Sequence, residues 1–229
     1  MNLTTLPREN YSFMNWSGGK DSALALYYHR ELHEDNVKFL FTTYEGSNGL
    51  SSHHKLPLNL LKAQAESIGI PFYPFAYNSG DTEYEMNMKN VLLEFYNMKI
   101  RDSIFGDIHL EELRKFREEK LKQVQFECKF PLWKRNTTDL IKDFFRLGFR
   151  AVIVSVDEKA LNETYLGKEL TPELVDSFPS GVDHCGENGE YHTFVFDGPI
   201  FKSPIPFSLG KRNYVKYGDS TGFHYISIS

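Results

Sequence analysis

The chain reads as an α/β protein: a parallel sheet covered by helices on both faces, followed by a smaller C-terminal α/β domain. Three observations predict this. From Tyr11 onward, short apolar runs alternate with longer segments of helical period, the rhythm of βαβ units. A glycine-rich turn follows the first apolar run directly and opens the first helical segment. Hydrophobic residues make up 41% and charged residues 25% of the 229 positions, an ordinary globular balance that excludes disordered, collagenous and membrane-spanning chains.

Each element follows from its own pattern. Residues 11–16 form a first strand. Residues 21–34 form a helix with Leu24, Tyr27, Tyr28 and Leu32 on one face. Residues 37–44 (VKFLFTTY) are a buried strand, and the Gly-Ser-rich stretch 46–52 is a loop. Residues 58–68 form a helix that stops at Gly69, with Pro71 just beyond. A short strand at 72–75, a helix at 83–98, a strand at 103–105 and a highly charged helix at 111–124 follow. The rhythm changes near residue 125, which divides an N-terminal domain (1–125) from a C-terminal one (126–229). No Gly/Ser or Pro tract marks that boundary, so it is not a flexible linker. Beyond it lie a helix at 136–147, with Asn136 or Thr137 as N-cap and Asp139 in its first turn, and a buried strand at 151–156. Short β-like runs at 193–196, 214–216 and 223–228 close the chain.

Charge and cysteine content narrow the function classes. The net charge of −5 argues against a large nucleic-acid footprint, although a local basic groove is compatible with it. The basic stretch 114–122 alternates with Glu111, Glu112, Glu118 and Glu119 and reads as a salt-bridged helix face. Two cysteines, Cys128 and Cys185, are too few for a disulfide framework and imply free thiols in a reducing compartment. The first thirteen residues hold Arg8 and Glu9 and no apolar core of a leader, and no run reaches the ~18 apolar residues of a membrane span. A cytoplasmic protein is expected.

The strongest chemical signal is Asn15-Trp16-Ser17-Gly18-Gly19-Lys20-Asp21-Ser22. It lies where the first strand meets the first helix, the carboxyl edge at which such sheets bind ligands. Gly18 and Gly19 allow close backbone approach, and amides at the helix start point at an anion. Lys20 adds a mobile positive charge, and Ser17 and Ser22 add hydroxyl donors. The string is neither the P-loop pattern nor G-x-G-x-x-G. Asp21 either organises a metal or caps the helix. A Gly-Gly turn that merely caps a helix is the plain alternative.

The loop resembles that of the PP-loop ATP pyrophosphatases, whose signature is S-G-G-x-D-S. The resemblance implies a Rossmann-like (HUP-type) sheet and ATP cleaved between its α and β phosphates with Mg²⁺ present. It also implies adenylation of a carboxylate or carbonyl oxygen that a nitrogen or sulfur nucleophile then attacks. Trp16, Ser17, Gly18, Gly19, Lys20, Asp21 and Ser22 become the ATP-binding residues, with Tyr44 at the end of the second strand on the adenine side.

A second concentrated motif, Cys185-Gly186-Glu187-Asn188-Gly189-Glu190-Tyr191-His192-Thr193, puts two glutamates beside glycines. Both carboxylates on one side of a tight turn could receive a cation or act as acid and base; solvated surface charges are the alternative. This motif, Pro131-Leu132-Trp133-Lys134-Arg135-Asn136, Gly106-Asp107-Ile108 and Leu166-Gly167-Lys168-Glu169-Leu170 together are similar to the diphthine–ammonia ligase family over about residues 13–202. That resemblance implies Lys20, Asp21, Glu187 and Glu190 as catalytic residues and adds Gly106 and Asp107 to the nucleotide site. Glu187, Asn188, Gly189, Glu190 and His192 become the acceptor-binding set. Asn188 stands where the family has Gly and His192 where it has Glu, a variant similar to a bacterial branch. Bacteria lack the diphthamide target, so the ATP chemistry carries over and the acceptor does not.

The function expected is therefore an AMP- and pyrophosphate-forming amide ligase acting on ATP, an unidentified carboxylate acceptor and ammonia. An adenine nucleotide alpha hydrolase and a non-catalytic ATP sensor are the alternatives. Asp183, His184, Cys185, Glu187 and His192 make a poor zinc set, because only one Cys is present. The pair His53-His54 reads as a solvated loop or as a segment near the nucleotide. The oligomeric state, a homodimer included, is left open.

Overall fold

The computed structural model describes residues 10–33, 36–52, 54–78, 80, 82–217 and 221–229. The first sheet is built on β1 (Tyr11–Asn15), which pairs in parallel with β2 (Val37–Glu45) on one side and β5 (Ile100–Ile104) on the other. β4 (Phe72–Tyr77) joins β2 in parallel, and β6 (Glu127–Lys129) joins β5 in parallel. The parallel order is thus β4-β2-β1-β5-β6, with a two-residue strand, β3 (Leu50–Ser51), antiparallel to the end of β2. Connections leave β1 in opposite directions, so the crevice beyond its carboxyl end is the topological switch point.

Helices α1 (Lys20–His33), α2 (Leu58–Ile68), α3 (Tyr84–Asn97) and α4 (Glu111–Lys122) form the crossovers. Adjacent residues of β1 feed opposite faces of the sheet, as strand geometry requires. Phe13 enters an aromatic layer with Phe41, Phe75, Phe95 and Phe126, and Met14 enters a mostly aliphatic one. Ring centroids lie 5.2–5.9 Å apart around Phe13, in tilted and edge-on pairs.

The second sheet is wholly antiparallel, in the order β8-β7-β10-β9: β7 (Arg150–Asp157), β8 (Tyr191–Asp197), β9 (Leu209–Tyr217) and β10 (Thr221–Ile228). The aliphatic layer of the first sheet runs without interruption into it. Met14, Leu24 and Leu26 share one core with Leu140 and Phe144 of α5 (Thr137–Arg146) and with Val152, Val154 and Phe194 of the second sheet. No helix among the described residues is long and apolar enough to cross a membrane. Cys128 and Cys185 are both free thiols.

The stop of α2 matches its signals: Gly69 adopts φ 83° and its N–H donates to the Ala65 carbonyl. Asn136 caps α5, its side chain accepting from the Asp139 amide. Other boundaries move. α1 ends at His33, and Glu34 lies outside the described residues. β3 occupies part of the stretch expected to be loop. β6 lies past residue 125 yet completes the first sheet; its sequence, Glu-Cys-Lys, carries no apolar alternation to reveal it. The short α6 (Pro172–Asp176) is below the length at which helical period shows, although Thr171 and Pro172 are readable start signals.

Candidate active site

The phosphate-type loop is the turn between β1 and α1. Trp16 N–H continues the strand ladder to the Phe41 carbonyl, and Gly18 then takes φ 79°, which turns the chain into α1. The turn is tied from both sides. Gln64 of α2 donates to the carbonyls of Gly18 (3.0 Å) and Val195 (2.6 Å) while accepting from the Trp16 indole (2.8 Å). Gly106, after β5, packs against the first turn of α1, where an added Cβ would meet the Asp21 carbonyl carbon at 2.9 Å. That approach requires glycine.

Several loop donors already have acceptors. The Lys20 amide donates to Thr193 Oγ1 (3.0 Å), the Gly19 amide to Ser17 Oγ (3.3 Å), and Ser22 Oγ to the Gly19 carbonyl (2.9 Å). Lys20 is not the mobile charge expected from sequence. It is 3% exposed, and its ammonium contacts both oxygens of Asp21 and lies over the Tyr191 ring. Burial alone would lower the Lys20 pKa, but the Asp21 carboxylate beside it more than reverses that and holds the ammonium charged.

The second motif is a turn welded to the start of α5 and to the loop after β5. Asp183 accepts from the amides of Cys185 and Glu187 and from Thr137 Oγ1. His184 hydrogen-bonds Thr138, and the Cys185 thiol donates to the Thr137 carbonyl, so these side chains serve the turn. The two glutamates do not face a common space. Glu187 Oε1 accepts from the amides of Ile108 (2.9 Å) and His109 (2.8 Å). Glu190 is buried, and it accepts from the Asp183 amide and from both the amide and side chain of Asn188. The paired-carboxylate arrangement is therefore replaced by one glutamate on each side of the turn, because the turn's own N–H groups capture Glu190.

Between loop and turn lies a cavity of ≈560 Å³. Trp16, Ser17, Asp21, Ser22, Gly106, Asp107, Glu187, Asn188, Gly189 and His192 all line it, joining residues from both sheets. Gly18, Gly19, Lys20 and Glu190 stand behind this lining. Tyr44 does not line it, whereas Phe41, Thr42 and Thr43, just before it in β2, do. Burial pushes the Glu187 and Asp107 carboxyls up, against the pull of the Ile108–His109 amides and of Arg117 respectively.

Further lining residues escape a sequence reading. Ser51 and Ser52 come from β3 and the turn after it, and Arg117 from a helix whose charges look merely solvated. His54, of the pair that the sequence leaves between a solvated loop and a segment near the nucleotide, lines the cavity: it packs against Gly19, sends Nδ1 to the Thr193 carbonyl (2.8 Å) and meets the His192 ring at a tilt of 37° with centroids 4.7 Å apart. A carbonyl only accepts, so Nδ1 carries the proton. Its sequence neighbour His53 lies outside the described residues. A second cavity of ≈860 Å³ adjoins the first through Thr43, Ser52, His192 and Phe223.

Comparison with known proteins adds an independent line. A family model described as the diphthamide synthase N-terminal domain matches residues 11–126, and one described as the diphthamide synthase C-terminal domain matches residues 136–227. The chain is 40% identical over 79 residues to a diphthine–ammonia ligase of Mus musculus, which covers 32% of this chain and 30% of that protein. A diphthine–ammonia ligase of Danio rerio is 27% identical over 160 residues, 62% of each chain. One of Schizosaccharomyces pombe is 24% identical over 210 residues, 82% of this chain and 34% of that protein. The matched stretch thus spans about a third of the mouse and yeast relatives.

Proposed function

The chain belongs to the diphthamide synthase family, and we propose that it catalyses an ATP-dependent C–N ligation releasing AMP and pyrophosphate. The observation that carries this reading is the loop of residues 17–22, which opens α1 at the switch point of a parallel sheet and faces the Glu187 turn across one cavity. An acceptor carboxylate oxygen attacks the α-phosphorus, the α–β bond breaks, and pyrophosphate leaves with the bonding pair. Ammonia then attacks the acyl carbon of the mixed anhydride, loses a proton and displaces AMP. Holding both reactants at near-attack distance contributes much of the rate.

Residue roles follow from position. The loop backbone and Ser17 and Ser22 cradle the phosphates. Asp21 and Asp107 are oxygen donors on the cavity wall, the ligand class a Mg²⁺–nucleotide complex prefers, and they are the residues that would hold the metal. Bound Mg²⁺ would neutralise charge on the phosphate oxygens. Glu187 holds the Ile108–His109 amides and so fixes the segment that carries Asp107. Glu190 is a positioning residue that shapes the turn, and Asn188 and His192 face the acceptor side. The free thiols support a reducing, cytoplasmic setting.

The test incubates the chain with α-labelled ATP, ammonium, Mg²⁺ and a small-molecule extract fraction, followed by chromatography of the label. AMP that depends on the extract supports the ligase. AMP at full rate without extract would mean hydrolysis, ADP would remove the chain from α–β chemistry, and bound but unconverted ATP would mean a sensor.

A further inference from the structure

α4 presents Leu113 and Arg117, four residues apart on one helix face, to the loop cavity. Among the described residues lining that cavity, Arg117 is the one permanent cation, against the carboxylates of Asp21, Asp107 and Glu187. The loop's own cation does not reach it: Lys20 is held behind Asp21. A polyphosphate entering this space meets net negative charge and needs a cation on the wall.

Arg117 is poorly satisfied where it rests. Its Nε lies 3.0 Å from Asp107 Oδ2, yet both atoms are buried and neither completes a hydrogen bond. The other arm, from Nη2 to Oδ1, is long at 3.3 Å. A guanidinium matched to its carboxylate forms two short parallel bonds, and this pair forms a single long one. Phe105 lies 4.2 Å beneath the guanidinium carbon and supports its plane while leaving the N–H fork able to change partner.

Building on the ATP-cleaving reading above, we propose that Arg117 grips the pyrophosphate end of the nucleotide, exchanging Asp107 for phosphate oxygens when the substrate arrives. As the bond between the α-phosphorus and the bridging oxygen breaks, its electron pair stays on that oxygen, and the guanidinium meets the growing charge. Asp107, once released, would be among the residues able to hold a divalent cation. A merely structural Arg117–Asp107 lock, pinning α4 to the loop, would make a different prediction: every ligand would weaken alike.

The test is calorimetric titration of the full chain with inorganic pyrophosphate, ATP and AMP, with and without Mg²⁺. Arg117→Gln is expected to weaken pyrophosphate and ATP by at least ~20-fold, the scale of a lost charge-assisted bond, while AMP stays within about threefold. Arg117→Lys, which keeps the charge and loses the fork, should fall between. Asp107→Asn tests the exchange without touching the arginine: metal-free pyrophosphate should bind more tightly and Mg²⁺ should no longer help. Equal losses for AMP and pyrophosphate, or unchanged pyrophosphate binding in both Arg117 variants, would overturn the assignment while leaving the ATP-cleaving reading standing. A wild-type chain that binds neither ATP nor pyrophosphate would overturn the ATP reading and this assignment with it.

Discussion

The Lys20 ammonium lies 3.0 and 2.9 Å from the two carboxylate oxygens of Asp21, the next residue in the chain. Side chains at i and i+1 of a helix ordinarily diverge. Here they meet because Lys20 is the first helical residue and lies over Tyr191 of the second sheet, 5.0 Å from its centroid. The cation that the motif supplies is thus stored beside the carboxylate it serves.

Lys20→Ala is expected to cut AMP formation by at least ~10²-fold, because Asp21 on the cavity wall loses the cation that holds its carboxylate in place. It should also lower stability by roughly 1–3 kcal/mol, less than for a fully buried pair because the Asp21 side chain is 32% exposed. Labelled-ATP chromatography and urea denaturation measure the two effects. Full turnover in the variant would remove Lys20 from the chemistry.

The two glutamates of the turn should separate. Glu190→Gln exchanges an acceptor of three N–H donors for an amide that brings donors of its own, at a cost of about 1–3 kcal/mol. Glu187→Gln keeps one acceptor for Ile108 and His109 and should cost less stability, but it removes a carboxylate charge from the cavity wall and weakens the hold on the segment that carries Asp107, so acceptor-dependent AMP formation should fall sharply. Thermal melts of both variants beside the labelled-ATP assay decide it. A Glu190 variant as stable as the parent would mean that its hydrogen bonds matter little.

Stability should depend on pH through the cavity carboxyls. Burial raises Glu187 and Asp107 in the folded state, so folding favours their protonated forms. That contribution is complete below the unfolded carboxyl values of about 4 and is lost as pH climbs through the raised folded values. The parent should therefore lose stability relative to Glu187→Gln between about pH 4 and neutrality. Mg²⁺ should restore more at pH 7 than at pH 5. Melting curves across that range check the sign, and a gap that widens in the parent's favour would refute it.

Gly106→Ala should push the loop after β5 off the first turn of α1, since the new Cβ would lie 2.9–3.1 Å from backbone atoms of Asp21 and Ser22. Backbone cannot yield as a flexible side chain does, so a cost of about 1–3 kcal/mol is expected, with weaker ATP binding. Denaturant midpoints and nucleotide titration report both. Normal ATP affinity would mean that the close packing is dispensable.

The chain's local patterns were enough to place the first strand, the Gly18–Gly19 turn, the whole of α2 with its Gly69 stop, and the Asn136 cap. Each depends on residues within a few positions of one another, and hydrophobic period and capping chemistry act over that range. Side-chain direction at the site was a different matter. The Lys20 ammonium lies over Tyr191 of the second sheet; Glu187 reaches Ile108 across 79 residues, and Gln64 reaches Val195 across 131. Phe41, Thr42 and Thr43 reach the cavity and Tyr44 does not, and β2, covered on both faces, carries no alternation in its sequence from which to choose among them. In sequence Arg117 is one more charge on a salt-bridged helix face; in the fold Asp107 and Phe105 lie against it. Local sequence encodes where the backbone turns, whereas the partners that aim a charged side chain come from distant strands, and only close packing of the two sheets sets them in place.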